Sequence, residues 1–425
     1  MNSHHVDVAI VGAGAAGIGV GVALSTLDLD IVILEREEIG ASFRQWPDEM
    51  RFITPSFPSN SFGLTDLNSI TPGTSPAVVL DREHPSGDEY ADYLEAVADY
   101  YELPVDIDVE VTDVRTPQDA TVSTSGSSIP QHTAVDGGRK IQPQRNVTDP
   151  ETQEAPAPDG FLLDTNQCPI HCDFVVWATG QFGSPRRDVI QGAEYCVHTG
   201  AVSSWTDHAS TYDSDEFLII GGYESGIDAA VGLVEAGCQV RVLDRGEPWS
   251  LRGPDPSEVL SPYTRERLMA VMDADRLLLE GGTVVEQISR DDADRFEVRA
   301  RAAEGHEPDD GESPTYTVST PPILATGYEP HLGPVADHFP LDDGVIQVTE
   351  VDEAPKTSGL FLAGPDVTHN GVKFCFIYKF RSRFPVIAET IGSRLGIDTG
   401  PLDIYREQNM FLEDLSCCEP DMCDC

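Results

Sequence analysis

Two stretches of this chain repeat one order of events, and that repeat limits its possible folds more than any other feature. Val6–Val11 reads as a buried strand. Gly12-Ala13-Gly14-Ala15-Ala16-Gly17 follows, then an Ala- and Val-rich helix, a second strand Asp30–Leu34, and Glu35. Phe217–Ile220 opens the same order, with Gly221-Gly222-Tyr223-Glu224-Ser225-Gly226, a helix to about Ala236, a strand Gln239–Leu243, and Asp244. Twenty-three positions separate Gly12 from Glu35, and twenty-three separate Gly221 from Asp244. A βα turn that holds a dinucleotide needs its first glycine for the tight turn and its second so that backbone can approach the pyrophosphate. It needs the third for close helix–strand packing, and an acid after the next strand for the ribose hydroxyls. The helix N-terminus adds amide donors and a positive dipole end. The expected class is therefore α/β, with two Rossmann-like, doubly wound parallel-sheet units, the second inserted into the first.

The rest of the chain is ordered around these units. Phe161–Gly180 alternates like strand and ends in Ala178-Thr179-Gly180, and Pro322–Gly327 ends alike in Ala325-Thr326-Gly327. Leu360–Ala363 reads as a further strand and Phe374–Leu395 as the last long helix. Residues 116–160, rich in Pro, Ser, Thr, Gln and Asp without a period, read as a surface insertion, and 302–315 as a smaller one. The expected domains are 1–201 with 328–395, then 202–327 between them, then a Cys-rich acidic tail over 396–425.

Charge says more about surroundings than about ligands. The 425 residues carry 73 Asp+Glu against 27 Lys+Arg, a formal charge of −46. Such a surface self-repels in dilute buffer, but in molar salt the Debye length falls to about 3 Å. The expected setting is a halophile's cytoplasm. Nucleic acid and anionic membranes need a basic footprint and are excluded as partners. No apolar run approaches the roughly 20 residues of a membrane span, and no signal peptide precedes Val6.

With Gly12–Gly17, Glu35, Ala178–Gly180, Gly221–Gly226, Ala325–Pro330 and Leu360–Asp366 in place, the chain resembles the two-dinucleotide-binding-domain flavoproteins over about residues 6–395. Gly40-Ala41-Ser42-Phe43-Arg44-Gln45-Trp46 is similar to the Gly-Gly-(Ser/Thr)-Trp region of flavin-containing monooxygenase-like members. The resemblance implies FAD at Gly12, Gly14, Ala15, Ala16, Gly17, Glu35, Arg36, Trp46, Thr179, Gly180, Gly364 and Asp366. It implies NAD(P)H at Gly221, Gly222, Glu224, Ser225, Gly226, Asp244, Arg245, Thr326 and Gly327. Asp244 favours NADH and Arg245 favours NADPH. Tyr223 stands where the fingerprint has its middle glycine and is expected to crowd the pyrophosphate.

What reoxidises the flavin is signalled mostly by absences. The Cys-x-x-Cys pair of thioredoxin reductase-like members is missing, and Cys168-Pro169-Ile170-His171-Cys172 has one spacer too many. The monooxygenase fingerprint is not intact around Tyr195–His198 either. Two of the four lysines, Lys373 and Lys379, lie in Asn370–Arg383, where Lys373 is expected to stabilise reduced flavin. The plainer alternative is ion pairs from Lys379, Arg381 and Arg383 around a packed Phe374, Phe376 and Phe380. His369 and Thr54 are the remaining catalytic candidates at the flavin. Cys417, Cys418, Cys423 and Cys425 suit a soft metal, zinc or copper(I), an electron relay, or no role at all. The expectation is an FAD-dependent, NAD(P)H-consuming oxidoreductase of monooxygenase-like type acting on a small-molecule substrate, with a homodimer as an option. A disulfide or metal-ion reductase using the terminal cysteines is the alternative within enzymes. A nucleotide-binding protein without turnover is the alternative outside them.

Overall fold

The computed structural model describes residues 4–58, 65–116, 160–253, 259–272, 275–305 and 313–417. All but the ends of the expected insertion, together with Cys418, Cys423 and Cys425, lies outside these residues. The first sheet is built on β1 (His4–Val11), which pairs in parallel with β2 (Ile31–Leu34) on one side and β6 (Ile170–Trp177) on the other. β3 (Val105–Asp106) extends it beyond β2, while β5 (Phe161–Thr165) and β4 (Val111–Arg115) join antiparallel beyond β6. The C-terminal half of β6 also takes β17 (Leu360–Leu362) in parallel. The second sheet runs β10 (Leu277–Glu280), β9 (Gln239–Leu243), β8 (Glu216–Ile220), β14 (Ile323–Leu324), β7 (Val197–His198), all parallel. Its strands fall in sequence between β6 and β17, so the second unit is inserted into the first. β7 joins this second sheet although it precedes residue 202, the expected start of the second unit. An antiparallel layer of β11 (Thr283–Arg290), β12 (Phe296–Ala302) and β13 (Thr315–Val318) and a small hairpin, β15 (Leu341–Asp342) with β16 (Val345–Ile346), complete the sheets.

Helices cover both sheets. α1 (Ala15–Ser25) starts from Gly14 as N-cap and is buried over ten of its eleven residues, as a helix apolar all round must be. Its Gly19 lets Phe384 lie against the backbone; a Cβ there would stand 2.1 Å from the ring. Short helices α2 (Ala41–Arg44) and α3 (Pro76–Leu80) lead to α4 (Gly87–Tyr100), which begins with a capping box between Ser86 and Glu89. In the second unit α5 (Trp205–Ser210) precedes β8, α6 (Glu224–Glu235) follows it, and α7 (Pro262–Met272) packs on α6.

The C-terminal segment departs from the expected single helix over 374–395. A hairpin forms first, β18 (Thr368–His369) against β19 (Val372–Lys373), turning at Asn370 and Gly371 with φ of 50° and 85°. Two successive positive φ values are what a two-residue hairpin turn requires, and Asn-Gly supplies them at least cost. Helical backbone starts only at α8 (Ile377–Phe380), tightens over Arg381–Arg383, and resumes as α9 (Phe384–Leu395). Pro385 at the start of α9 has no N–H to give the preceding turn, and Gly396, φ 71°, ends the helix. A last short helix, α10 (Asp403–Glu407), leads to a 3-10 turn, Leu415–Cys417. Among the described residues no helix is long and apolar enough to cross a membrane.

Candidate functional site

The first glycine loop is shaped by its own sterics. Gly12 has φ 102°, and a Cβ on it would stand 2.7 Å from the Ala178 carbonyl oxygen; a Cβ on Gly17 would stand 1.8 Å from the Gly12 oxygen. Gly14 is different: a Cβ there would meet nothing within 4 Å. It faces a cavity of ≈ 380 Å³. That open approach, over the unsatisfied amides at the start of α1, is the room a pyrophosphate needs. Glu35 fixes the loop, accepting from Ala13 N at 2.7 Å and Glu37 N at 3.0 Å. A carboxylate has acceptor capacity left for ribose hydroxyls after two such bonds. The FAD implied by the sequence therefore fits the residues present.

The same cavity is lined by Ala15, Ala16, Arg36, Trp46, Thr54, Thr179 and Gly180, so most of the expected first-site residues do converge. Thr179 Oγ1 donates to the His331 carbonyl at 2.6 Å, and Trp177 Nε1 donates to the same oxygen at 2.9 Å. His331 also lines the cavity, where burial and the charge of Arg36 push its imidazole below the usual range. The wall near Trp46 is aromatic: Phe43, Phe52 and Phe182 lie with ring centroids 5.0–5.8 Å from Trp46. Past it, the cavity reaches the second unit at Glu224, Ser225, Asp228 and Thr264. Cys375, Phe376 and Ile377 close another side.

Of the third flavin segment, Pro365 lines the cavity. Gly364 has φ 122° and sits 3.4 Å, measured from a Cβ, off the Ala16 methyl. Asp366 is buried, and burial pushes its carboxyl up to about 6 against the opposing charge of Lys373. Two catalytic expectations are corrected here. Lys373 is exposed on β19 and does not line the cavity. His369 is also absent from it; it is buried with Nε2 2.5 Å from Asp352 Oδ1, and Asp352 is held in turn by Arg383 Nε at 2.9 Å. Of the plainer alternative, Arg383 pairs with an acid, whereas Arg381 donates to the carbonyls of Asp66 and Ser69.

The second glycine loop meets the cavity only at Glu224 and Ser225 and repeats the first in geometry. Gly221 has φ 105°, and a Cβ on Gly226 would stand 1.9 Å from the Gly221 oxygen. Asp244 accepts from Gly222 N and Gly246 N, each at 2.7 Å, matching the role of Glu35. Tyr223 does not crowd the loop as expected. Its hydroxyl donates to the Val259 carbonyl at 3.0 Å and its ring packs on the second core, beside Trp249. A second dinucleotide therefore fits as well. Arg245 is exposed, Thr326 donates to the Arg186 carbonyl at 2.5 Å, and Gly327 has φ 77°. Glu224 turns inward to Ser261 N, at 2.5 Å, and Thr264, and burial pushes its carboxyl up.

The two units are joined by contacts no local pattern announced. Glu49 Oε1 accepts from Ser204 Oγ at 2.9 Å and Thr206 N at 3.1 Å, and Oε2 from Trp205 N at 2.9 Å. Burial opposes its charge, but these bonds outweigh that and hold the carboxyl below its usual range. His84 stacks on Tyr263 with centroids 4.0 Å apart. As for a metal, no group of three or more His, Cys, Asp or Glu is placed to hold one among the described residues. Three of the four tail cysteines fall outside them.

Comparison with known proteins agrees with this geometry. The family described as pyridine nucleotide-disulphide oxidoreductase matches residues 9–134 and 140–364. Bacilliredoxin reductase Bdr of Bacillus subtilis is 25% identical over 238 residues, spanning 55% of this chain and 66% of that protein, just under two thirds of its length. Among solved structures, bacillithiol disulfide reductase Bdr from Staphylococcus aureus aligns with a TM-score of 0.63 at 19% identity, over 92% of this chain and 99% of that one. A flavin-containing monooxygenase from Stenotrophomonas maltophilia aligns with a TM-score of 0.61 at 17% identity, over 92% and 99%. At such identities both structures speak for the fold alone.

Proposed function

Because the chain belongs to the pyridine nucleotide-disulphide oxidoreductase family, and so to the FAD- and NAD(P)H-dependent oxidoreductases, we propose that it reduces a low-molecular-weight disulfide. The observation that carries this reading is the single cavity running from the Gly12–Ala16 loop to the first turn of α6. A cofactor held on the first loop thus meets the unit that holds the nicotinamide. The matched reductase of Bacillus subtilis supports disulfide over oxygen as the acceptor. FAD, when bound, accepts a hydride from NAD(P)H and passes two electrons on. The balance is NAD(P)H, one proton and RSSR going to NAD(P)⁺ and two RSH.

The chain's own residues supply binding and orientation. The amides after Gly14 and the Glu35 carboxylate hold the dinucleotide at one end. Phe43, Trp46, Phe52 and Phe182 exclude water at the other, and Glu49 and the His84–Tyr263 stack fix how the two units face each other. Oxygen insertion is the second reading, favoured by that same dry aromatic wall, since a reactive oxygenated cofactor must be kept from water.

The test is anaerobic oxidation of NADH and NADPH by the FAD-loaded full chain in molar potassium chloride, with cystine and glutathione disulfide as probes. Disulfide-dependent oxidation yielding two thiols per nucleotide is expected. Consumption that needs oxygen and ignores both disulfides would overturn the reading in favour of the monooxygenase.

A further inference from the structure

We propose that Arg51 recognises the substrate by gripping a carboxylate carried near the S–S bond, so that the disulfides this chain prefers are small anionic ones. The inference rests on the disulfide-reductase reading above and adds to it the class of disulfide.

Arg51 sits where the two units meet. Just before it, Asp48 N donates to the Ser203 carbonyl at 2.7 Å, and Glu49 takes the amides at the start of α5. Just after it, the Phe52 carbonyl stands 2.7 Å from His84 Nδ1, and His84 stacks on Tyr263 of the second unit. The chain is thus fastened on both sides of Arg51, and Met50, Arg51, Phe52 and Thr54 line the cavity there. The same cavity reaches Glu224 and Ser225 at the first turn of α6.

Arg36 and Arg51 are the cations that line this cavity, and their settings differ. Arg36 follows Glu35, and its Nε lies 3.3 Å from Glu37 Oε1. Arg51, half-buried, forms no ion pair among the described residues, and its bonds go to backbone oxygens. Glu89, whose carboxyl burial raises and Ser86, Arg82 and lastly Arg51 lower, takes its ion pair from Arg82 at 3.2 Å. The acids on the second unit's side of the cavity are engaged as well, Glu224 by Ser261 and Thr264 and Asp228 by Arg267.

The guanidinium is set before any ligand arrives. Its Nη1 donates to the Asp48 carbonyl at 2.6 Å and to the Met50 carbonyl at 2.7 Å, which uses both hydrogens of that nitrogen. Nε and Nη2 donate to nothing among the described residues, and their shared edge is the fork that meets a carboxylate through two parallel bonds. Phe52, next in sequence, lies 5.0 Å from Trp46 between ring centroids, so the grip adjoins an apolar wall suited to the uncharged S–S segment. A chain of charge −46 repels a small anion at long range, but in molar salt that field is cut off within about 3 Å. Contact then decides, and bonds from a guanidinium to a carboxylate are about twice as strong as those to a neutral hydroxyl.

The experiment compares two small disulfides that differ in charge, dithiodipropionate and hydroxyethyl disulfide, as oxidants of NAD(P)H. It uses the FAD-loaded full chain without oxygen in molar potassium chloride. The unsubstituted chain should show a kcat/KM at least about tenfold higher for the dicarboxylate. Arg51→Gln should bring that ratio to about one, through the KM of the dicarboxylate. Arg51→Lys keeps the charge without the fork and should fall between; it carries the comparison if the Gln chain does not fold. A purely structural arginine would slow both disulfides alike and leave the ratio standing in either variant, which overturns the inference. An unsubstituted chain whose ratio lies within about twofold of one overturns it with no variant at all. A raised KM for the nucleotide with the disulfide ratio unchanged assigns Arg51 to the nucleotide and overturns it too. A chain that reduces neither disulfide overturns the parent reading instead.

Discussion

Replacing Glu49 by Gln tests how the two units are held together. The carboxylate takes three hydrogen bonds across the boundary, at 2.9, 2.9 and 3.1 Å, and two of the donors are backbone amides at the start of α5. Gln keeps one acceptor oxygen, loses the charge, and turns an NH₂ group toward an amide that also donates. Loss of a cap costs about 1 kcal/mol, and loss of a negative charge at a helix start costs roughly 0.3–1 kcal/mol more. The sum, about 2 kcal/mol, is close to a 30-fold weakening of the docked arrangement at 1.4 kcal/mol per tenfold. In urea unfolding at pH 7 and molar potassium chloride, the midpoint of Glu49→Gln should fall by roughly 0.5 M. The sign with pH is fixed by the direction of the shift. A carboxyl held below its usual value contributes stability above its unfolded pKa of 4.5 and loses it as pH falls through the lower folded value. The gap between the two chains should therefore be full at pH 7 and narrow as pH falls below 4.5. Equal midpoints at pH 7, or a gap that widens as pH falls below 4.5, would refute the role given to Glu49.

Three further outcomes are expected. Gly17→Ala, whose Cβ would stand 1.8 Å from the Gly12 oxygen, should cost on the order of 4 kcal/mol in a thermal melt; Gly14→Ala, with nothing in reach of its Cβ, should melt like the parent yet lose at least about tenfold in FAD affinity by titration. Asp352→Asn leaves Arg383, 2% exposed, without its carboxylate and should destabilise the chain by about 3–5 kcal/mol in urea. Asp366, raised to about 6 by burial, makes the cofactor-free protein less stable as pH climbs from about 4 to 6. Asp366→Asn should abolish that decline and gain roughly 2–3 kcal/mol at pH 7, read from melts at both pH values.

The two βαβ units were legible because their glycines answer to backbone sterics, which act over a few residues and leave a fixed spacing. Gly12 against Ala178 and Gly221 against Ala325 are the same contact made twice. The helix expected over 374–395 was placed three residues early because the apolar run Phe374-Cys375-Phe376 fits helix and extended chain alike, and the 3-10 turn over Arg381–Arg383 left no mark in the pattern. Tyr223 looked like an obstruction because sequence carries no rotamer; its hydroxyl finds Val259 and the ring leaves the loop. His331 and Glu49 were silent for another reason. Their partners Trp177 and Trp205 lie more than 150 positions away, so no local pattern connects them.

The insertion of one sheet into the other also sets an order in time. β6 leaves the ribosome by Trp177, but the strand that covers the C-terminal half of its edge, β17, does not begin until Leu360. The whole second unit is synthesised in between, and all five strands of its sheet exist before β17 does, so it can fold first. The first sheet must wait with that edge of β6 open, and Gly364, which packs against Ala16 at the start of α1, arrives later still. FAD capture is thus a late event in the life of each chain, and a nascent chain halted before β17 should carry a competent second unit and an unfinished first.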